Sequence, residues 1–225
     1  MKALEEKLLL GVPFPYLLNE SEFYQHRFFV NEDVLIPRPE TELLVDLIAQ
    51  SGRPFERALD VGTGSGVILL SLVKAGVAAQ GVGSDISPAA LKVASVNQRR
   101  LRLTEKTNLI ESDGLKNVSG KFDLIVSNPP YIREVSQKSL VHPSVDRFEP
   151  HLALYLPEEN YEEWFRNFFQ AVLAHLGPGG EFWMEGHELE LETQAGVLHE
   201  LGFLSPQVIQ DFSGRPRFLR AHAPK

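Results

Sequence analysis

Short apolar runs and helical patterns alternate along most of the chain. Residues 57–61, 108–113, 122–126 and 181–185 are short stretches that carry apolar residues between turn residues, as buried strands do, and a further strand is read near 80–84, ending at Asp85. Between them, 67–73, a stretch opening at Pro88, 160–176 and 190–201 carry apolar residues at helical spacing. Leu43, Leu44, Leu47 and Ile48 share one face of an earlier helix that opens at Glu40 or Thr41. Gly177-Pro178-Gly179-Gly180 predicts a tight turn. Two last strands are expected at 207–212 and 218–221, with turn residues Ser213, Gly214 and Pro216 between them. Alternation of β and α followed by a strand pair predicts an α/β fold. Its sheet is mostly parallel with an antiparallel C-terminal edge.

The first 36 residues depart from this rhythm, and we read 1–36 as an appendage and 37–225 as the main domain. Residues 3–11 predict a short helix stopped by Gly11 and Pro13. The imperfect alternation through 12–35, with Tyr16, Phe23, Tyr24, Phe28, Phe29 and Val30, predicts a small β-hairpin. Pro37 and Pro39 keep the next piece extended. Arg38 inside it is a candidate to hold a carboxylate, or else pairs with Glu40 or Glu42 on the surface. Residues 132–158 have few apolar runs and follow a strand end, a place where a long connection is more often a functional cover than a linker.

Composition narrows the class. A chain of 225 residues, 43% hydrophobic and 23% charged, fits one globular domain with a sizeable core. With Cys 0, disulfides and thiolate metal sites are excluded, and the histidines show no metal-ligand spacing. No run is long enough to span a membrane and no signal peptide pattern opens the chain, so a cytoplasmic location is expected. A net charge of -8 argues against a broad phosphate-binding surface.

The candidate chemistry sits at strand ends. Gly62-Thr63-Gly64-Ser65-Gly66 follows a strand and opens a helix, the first unit of a nucleotide-binding α/β fold. Asp85 ends the next strand, where a carboxylate accepts ribose hydroxyls, and Asp113 ends the third, where an acid can meet an adenine amino group. A dinucleotide fingerprint wants glycine where Val67 stands, and no lysine follows the glycines as a P-loop requires. Further on, Asn128-Pro129-Pro130-Tyr131 ends the 122–126 strand abruptly. The Asn128 side-chain oxygen and the Pro129 carbonyl are two acceptors on a stiff turn, suited to gripping the N–H bonds of a planar amide or amino group. Tyr131 supplies a ring to pack beside it. Such a device orients a poor nitrogen nucleophile.

The glycine turn resembles the first motif of class I S-adenosylmethionine methyltransferases. With Leu35-Ile36-Pro37-Arg38-Pro39-Glu40-Thr41-Glu42, Ser127-Asn128-Pro129-Pro130-Tyr131-Ile132 and Arg147-Phe148-Glu149-Pro150 in the same order, the chain resembles the HemK/PrmC family over roughly residues 11–222. These are S-adenosylmethionine-dependent methyltransferases of release-factor glutamine. The resemblance implies S-adenosyl-L-methionine as cofactor, with Gly62, Thr63, Gly64 and Gly66 lining its methionine part, Asp85 its ribose and Asp113 near its adenine. Asp60, Ile86, Gly114 and Asn128 would complete that site. Asn128 and the Pro129 carbonyl would hold the substrate amide, with Pro130, Tyr131 and Arg38 around it. The implied partner is a peptide chain release factor, with no membrane contact and a monomeric enzyme. Two departures stand out. Family members usually begin with a helical domain of several dozen residues that helps grip the release factor, and this chain is almost without it. A bulky aromatic often follows the third-strand acid, and here the residue is Gly114. The rival enzyme reading is a methyltransferase acting on nucleic-acid amino groups, which predicts a basic groove beside Asn128. A third is a cofactor-binding interaction module without catalysis.

Overall fold

A computed structural model describes residues 8–225. Among these residues seven strands form one sheet: β3 (Phe55–Val61), β4 (Ala78–Asp85), β5 (Thr107–Glu111), β6 (Phe122–Ser127), β9 (Leu176–Glu185), β10 (Leu204–Gln210) and β11 (Pro216–His222). Their order is β10-β11-β9-β6-β3-β4-β5. All neighbouring pairs are parallel except the two made by β11, so the edge is antiparallel as expected, with the reversed strand lying second from the margin. The chain runs outward from β3 through β4 to β5, then restarts on the other side of β3 with β6. That reversal makes a crevice at the carboxyl ends of β3 and β6, where open α/β sheets bind ligands.

Successive residues of each strand face opposite sides, so the sheet carries two cores. On one side Ala58, Leu124, Val126 and Trp183 meet α2 (Pro39–Gln50) and α3 (Val67–Lys74). On the other, Leu59, Val61, Ile125 and Phe182 meet α6 (Tyr161–His175) and α7 (Leu191–Glu200). Every residue of α3 but the last is buried, because it is pressed between sheet and neighbouring helices. The α4 helix (Pro88–Arg100) starts as its sequence demands: Pro88 takes the first turn and the Ser87 hydroxyl accepts the Ala90 N–H at 3.2 Å.

Three expectations change. Within residues 12–35 the hairpin is present, β1 (Ser21–Phe23) and β2 (His26–Phe28), but a short helix, α1 (Phe14–Leu18), precedes it. Pro15 presets helical φ in its first turn and Asn19 ends it in the left-handed region. Tyr24 and Gln25, both with positive φ, turn the hairpin, and Phe23 packs edge-on against Phe28 with both rings buried in the α2–α3 core. Second, the glycines at 177–180 are not a separate turn. They bulge within β9, where Gly179 donates to the Pro224 carbonyl and Ala223 to that of Gly180. Third, the 132–158 connection has structure of its own: β7 (Ile132–Arg133) pairs in parallel with β8 (Tyr155–Leu156), and α5 (Pro143–Phe148) lies between them. The greater part of the helix expected at 3–11 falls outside the described residues. No helix among those described is long and apolar enough to cross a membrane.

Candidate active site at the crevice

The glycine turn closes on the neighbouring strand. The N–H groups of Gly62 and Thr63 both donate to the Ser84 carbonyl, and Gly62, Gly64 and Gly66 all take positive φ. A Cβ on Gly64 would project into open space, so this stretch of backbone is bare toward the crevice. Beneath it Asp60 is fully buried. Its Oδ2 accepts the Thr63 hydroxyl at 2.7 Å and the Leu69 N–H at 3.3 Å, while its Oδ1 has no partner. Burial pushes this carboxyl up to about 7 against the pull of those two hydrogen bonds. The Asp85 carboxylate accepts the Gly64 N–H at 2.8 Å and the Ser87 N–H at 2.9 Å. Burial raises its pKa and these N–H donors oppose the rise.

One cavity gathers Gly64, Asp85, Ile86, Asn128 and Pro130, with Val34 and Leu35 on its far wall. Asp113 and Gly114 are not in it. β5 ends at Glu111, so Asp113 lies beyond the strand, exposed and paired with Lys116, and Gly114 takes positive φ with open space before it. Both line a separate groove with Trp164 and Phe168. An unforeseen residue steadies the glycine turn. Asn97, fully buried on α4, donates to the Ser65 and Phe29 carbonyls and accepts the Phe29 N–H. Its signal was a polar residue on the apolar face that Val93 and Ala94 begin.

A second cavity, of about 200 Å³, adjoins through Asn128. Arg38, Tyr131, Glu185 and His187 line it with a wall of Leu140, Val141 and Val145 from the 132–158 cover. Asn128 is half-buried and its Nδ2 donates to the Thr41 hydroxyl at 3.3 Å. Among the described residues, neither Asn128 Oδ1 nor the Pro129 carbonyl receives a hydrogen bond from the protein. Thr41 donates to Glu185 Oε2 at 2.7 Å, and the Tyr131 hydroxyl lies 3.5 Å from Glu185 Oε1. Burial raises the Glu185 carboxyl, with the Thr41 hydroxyl and the Arg217 charge pulling the other way. The Tyr131 phenol is pushed up by burial and then by the Glu185 charge. Arg38 pairs with neither Glu40 nor Glu42. Its guanidinium meets Glu149 Oε1 at 2.7 Å, and Glu149 Oε2 accepts the Ile36 N–H at 3.0 Å. Glu149 thus clamps the cover to the segment ahead of α2. Arg133 does the same on the far side, bonding Glu190 and Glu162 while lying over the Tyr161 ring at 3.9 Å. Among the described residues no cluster has the makings of a metal site.

The family model for the methyltransferase small domain matches residues 39–153. A release factor glutamine methyltransferase from Cereibacter sphaeroides is 38% identical over 212 residues, covering 94% of this chain and 75% of that protein. One from Chlorobaculum tepidum is also 38% identical, covering 96% of this chain and 76% of its own length. Among solved structures, a methyltransferase from Pyrococcus furiosus superposes with a TM-score of 0.65 at 19% identity, covering 99% of this chain and 96% of that one, a likeness of fold. With that fold, and with relatives this similar over nearly its whole length, the chain belongs to the HemK/PrmC family of release factor glutamine methyltransferases.

Proposed function

We propose that this chain is an S-adenosyl-L-methionine-dependent methyltransferase acting on the side-chain amide nitrogen of a glutamine in a peptide chain release factor. The observation that carries the reading is Asn128, which lines both cavities and whose Oδ1 accepts nothing from the protein among the described residues. The next carbonyl, that of Pro129, also lacks a protein donor among them, though Pro129 is buried and lines neither cavity. The residues of the first cavity suit the cofactor: bare backbone at Gly64, a carboxylate at Asp85 and an exposed Ile86 as an apolar surface, while the orphaned Asp60 Oδ1 lies buried outside that lining. When bound, S-adenosyl-L-methionine supplies a methyl whose bond to sulfur breaks as its bond to the amide nitrogen forms, leaving a neutral thioether and a nitrogen that then sheds a proton to water.

The chain's own contribution is alignment. An amide nitrogen is a poor nucleophile because its lone pair is delocalised into the carbonyl. Two acceptors on its hydrogens aim that lone pair, and they strengthen as positive charge develops on nitrogen. A neutral asparagine suffices, since no proton has to leave before transfer. Tyr131 offers its ring beside the amide, and Leu140 and Val141 of the cover line the same cavity. A release factor is a cytoplasmic substrate, so the reading implies a cytoplasmic enzyme, and we expect it to act as a monomer.

The deciding experiment offers tritiated cofactor to the purified protein with a release factor, the same factor with the glutamine of its Gly-Gly-Gln motif replaced, and RNA. Label on the first alone supports the reading. Label on RNA alone would move the assignment to a nucleic-acid base.

A further inference from the structure

The oxygen and nitrogen ends of an asparagine amide have nearly the same shape, so packing alone does not fix which end faces a substrate. A directional partner is needed, and Asn128 has one. Its Nδ2 points at the Thr41 hydroxyl oxygen, 3.3 Å away. A hydroxyl has a single proton, and that of Thr41 goes to Glu185 Oε2 at 2.7 Å. In the arrangement found, Glu185 accepts the Thr41 proton, which leaves the Thr41 oxygen to accept from Asn128. Thr41 and Glu185 are 3% and 2% exposed, which keeps water from substituting for either. The three groups come from three elements: the first turn of α2, the exit of β6 and the last position of β9.

We propose that Thr41 and Glu185 are positioning residues that hold the Asn128 amide with its oxygen toward the cavities. The role rests on the glutamine-amide reading for its purpose, but the orientation itself does not. With the amide reversed, Oδ1 would face the lone pairs of Thr41, and an NH₂ would face the hydrogens of the substrate amide. Neither side would then form a hydrogen bond. Glu185 sets the direction at one remove, while its other oxygen lies 3.5 Å from the Tyr131 hydroxyl. The relay therefore links both Asn128 and Tyr131 to one buried carboxylate without placing a charge against the reacting nitrogen.

The test compares Thr41→Val, Thr41→Ser and Glu185→Gln in the full chain, by kinetics and by the ¹⁵N–¹H side-chain amide signals of Asn128, assigned through their loss in Asn128→Ala. Thr41→Val should lower kcat about ten-fold, the scale of one net hydrogen bond. KM and the affinity for S-adenosylhomocysteine should stay within about two-fold, and Thr41→Ser should recover most of the loss. The Asn128 amide should give one protected pair of signals in the wild type and in Thr41→Ser, and a broadened or doubled set in Thr41→Val. Glu185→Gln keeps the volume but no longer dictates which way Thr41 donates. It should also double the set, and it serves as the deciding arm if Thr41→Val does not fold. Wild-type kcat with an unchanged amide pair in Thr41→Val overturns the proposal, as does a Thr41→Ser no better than Thr41→Val. A single wild-type pair in Glu185→Gln overturns it too. The resonances need no substrate, so they decide the orientation even if the glutamine reading fails.

Discussion

Replacing Glu149 by alanine tests whether the cover is clamped over the site by one side chain. Glu149 is nearly dry, with its side chain 1% exposed, and it satisfies two groups from the segment ahead of α2: the Arg38 guanidinium and the buried Ile36 N–H. Removing one partner of a fully buried ion pair costs about 3–5 kcal/mol. Arg38 keeps 32% of its side chain in solvent, so water recovers part of its charge and moves the loss to the low end. The stranded Ile36 N–H is worth about 1–3 kcal/mol within that total. We expect Glu149→Ala to lose about 3 kcal/mol, seen as a drop in Tm of roughly 6–12 °C for a domain of this size. Glu149→Gln keeps an acceptor for Ile36 and gives up only the charge, so its loss should be about 1–2 kcal/mol. Urea unfolding of Glu149→Ala, Arg38→Ala and the double variant completes the cycle. Once Arg38 is absent no unpaired charge remains, so the double variant should lose at least about 1 kcal/mol less than the two single losses added. Strict additivity, or a Glu149→Ala within about 0.5 kcal/mol of wild type, would refute the clamp.

Asp85→Ala should weaken binding of S-adenosylmethionine and S-adenosylhomocysteine roughly ten-fold or more, the worth of a charge-assisted hydrogen bond, and unchanged calorimetric affinity in a folded variant would remove Asp85 from the site. Asn128→Ala should leave cofactor affinity largely intact and lower kcat by about 10²–10³, as loss of one preorganised transition-state hydrogen bond does elsewhere; near-normal turnover would reduce Asn128 to a strand exit. The Asp60 carboxyl, lifted in the fold from 3.8 to about 7, makes the fold most stable while it is protonated. Stability should fall as pH rises from about 4 to about 7 and then level off, by at most about 4 kcal/mol from this group. Melting curves of wild type and Asp60→Asn across that range should diverge, and parallel curves would show that Asp60 titrates normally.

What could be read from the sequence was what neighbouring residues decide together. Strands such as β6 and β9 announce themselves by local apolar runs, β4 only by its place between the glycine-turn helix and Asp85, and the positive φ values of the glycine turn follow from glycine itself. The short helix at Phe14–Leu18 escaped because it owes its start to Pro15 and its end to Asn19, with no apolar period to mark it. The bulge in β9 escaped for the opposite reason. Glycine and proline at 177–180 announce a turn locally, but partners at Ala223 and Pro224 hold the backbone in the sheet. The polar network was the least legible part. Thr41 finds Glu185 across 144 residues, Ile36 finds Glu149 across 113, and Phe29 finds Asn97 across 68. Which acid meets which donor at that distance is set by packing, and residue type alone leaves many pairings open. The sequence did show the ends of these links, as Thr41 inside a proline-stiffened motif and Glu185 closing the run Phe182-Trp183-Met184.

The placement of charge around Asn128 has a physical logic that the separate contacts do not reveal. An ionised carboxylate set directly on the reacting amide would have to be stripped of water, a cost its attraction to a neutral group would not repay. It would also hold a cationic methyl donor as firmly before reaction as during it, and uniform binding of that kind does not raise turnover. A neutral acceptor avoids both penalties. Its bond to the amide hydrogens is modest in the ground state and strengthens as the nitrogen becomes positive. The weakness of asparagine is that it can present the wrong end, and a buried acid one hydroxyl away corrects that. Glu185 can carry its charge behind Thr41, partly balanced by Arg217, and still fix the direction of every proton between itself and the acceptor. Setting the charge one group back thus gives direction without local attraction, which is what transfer to an amide nitrogen requires.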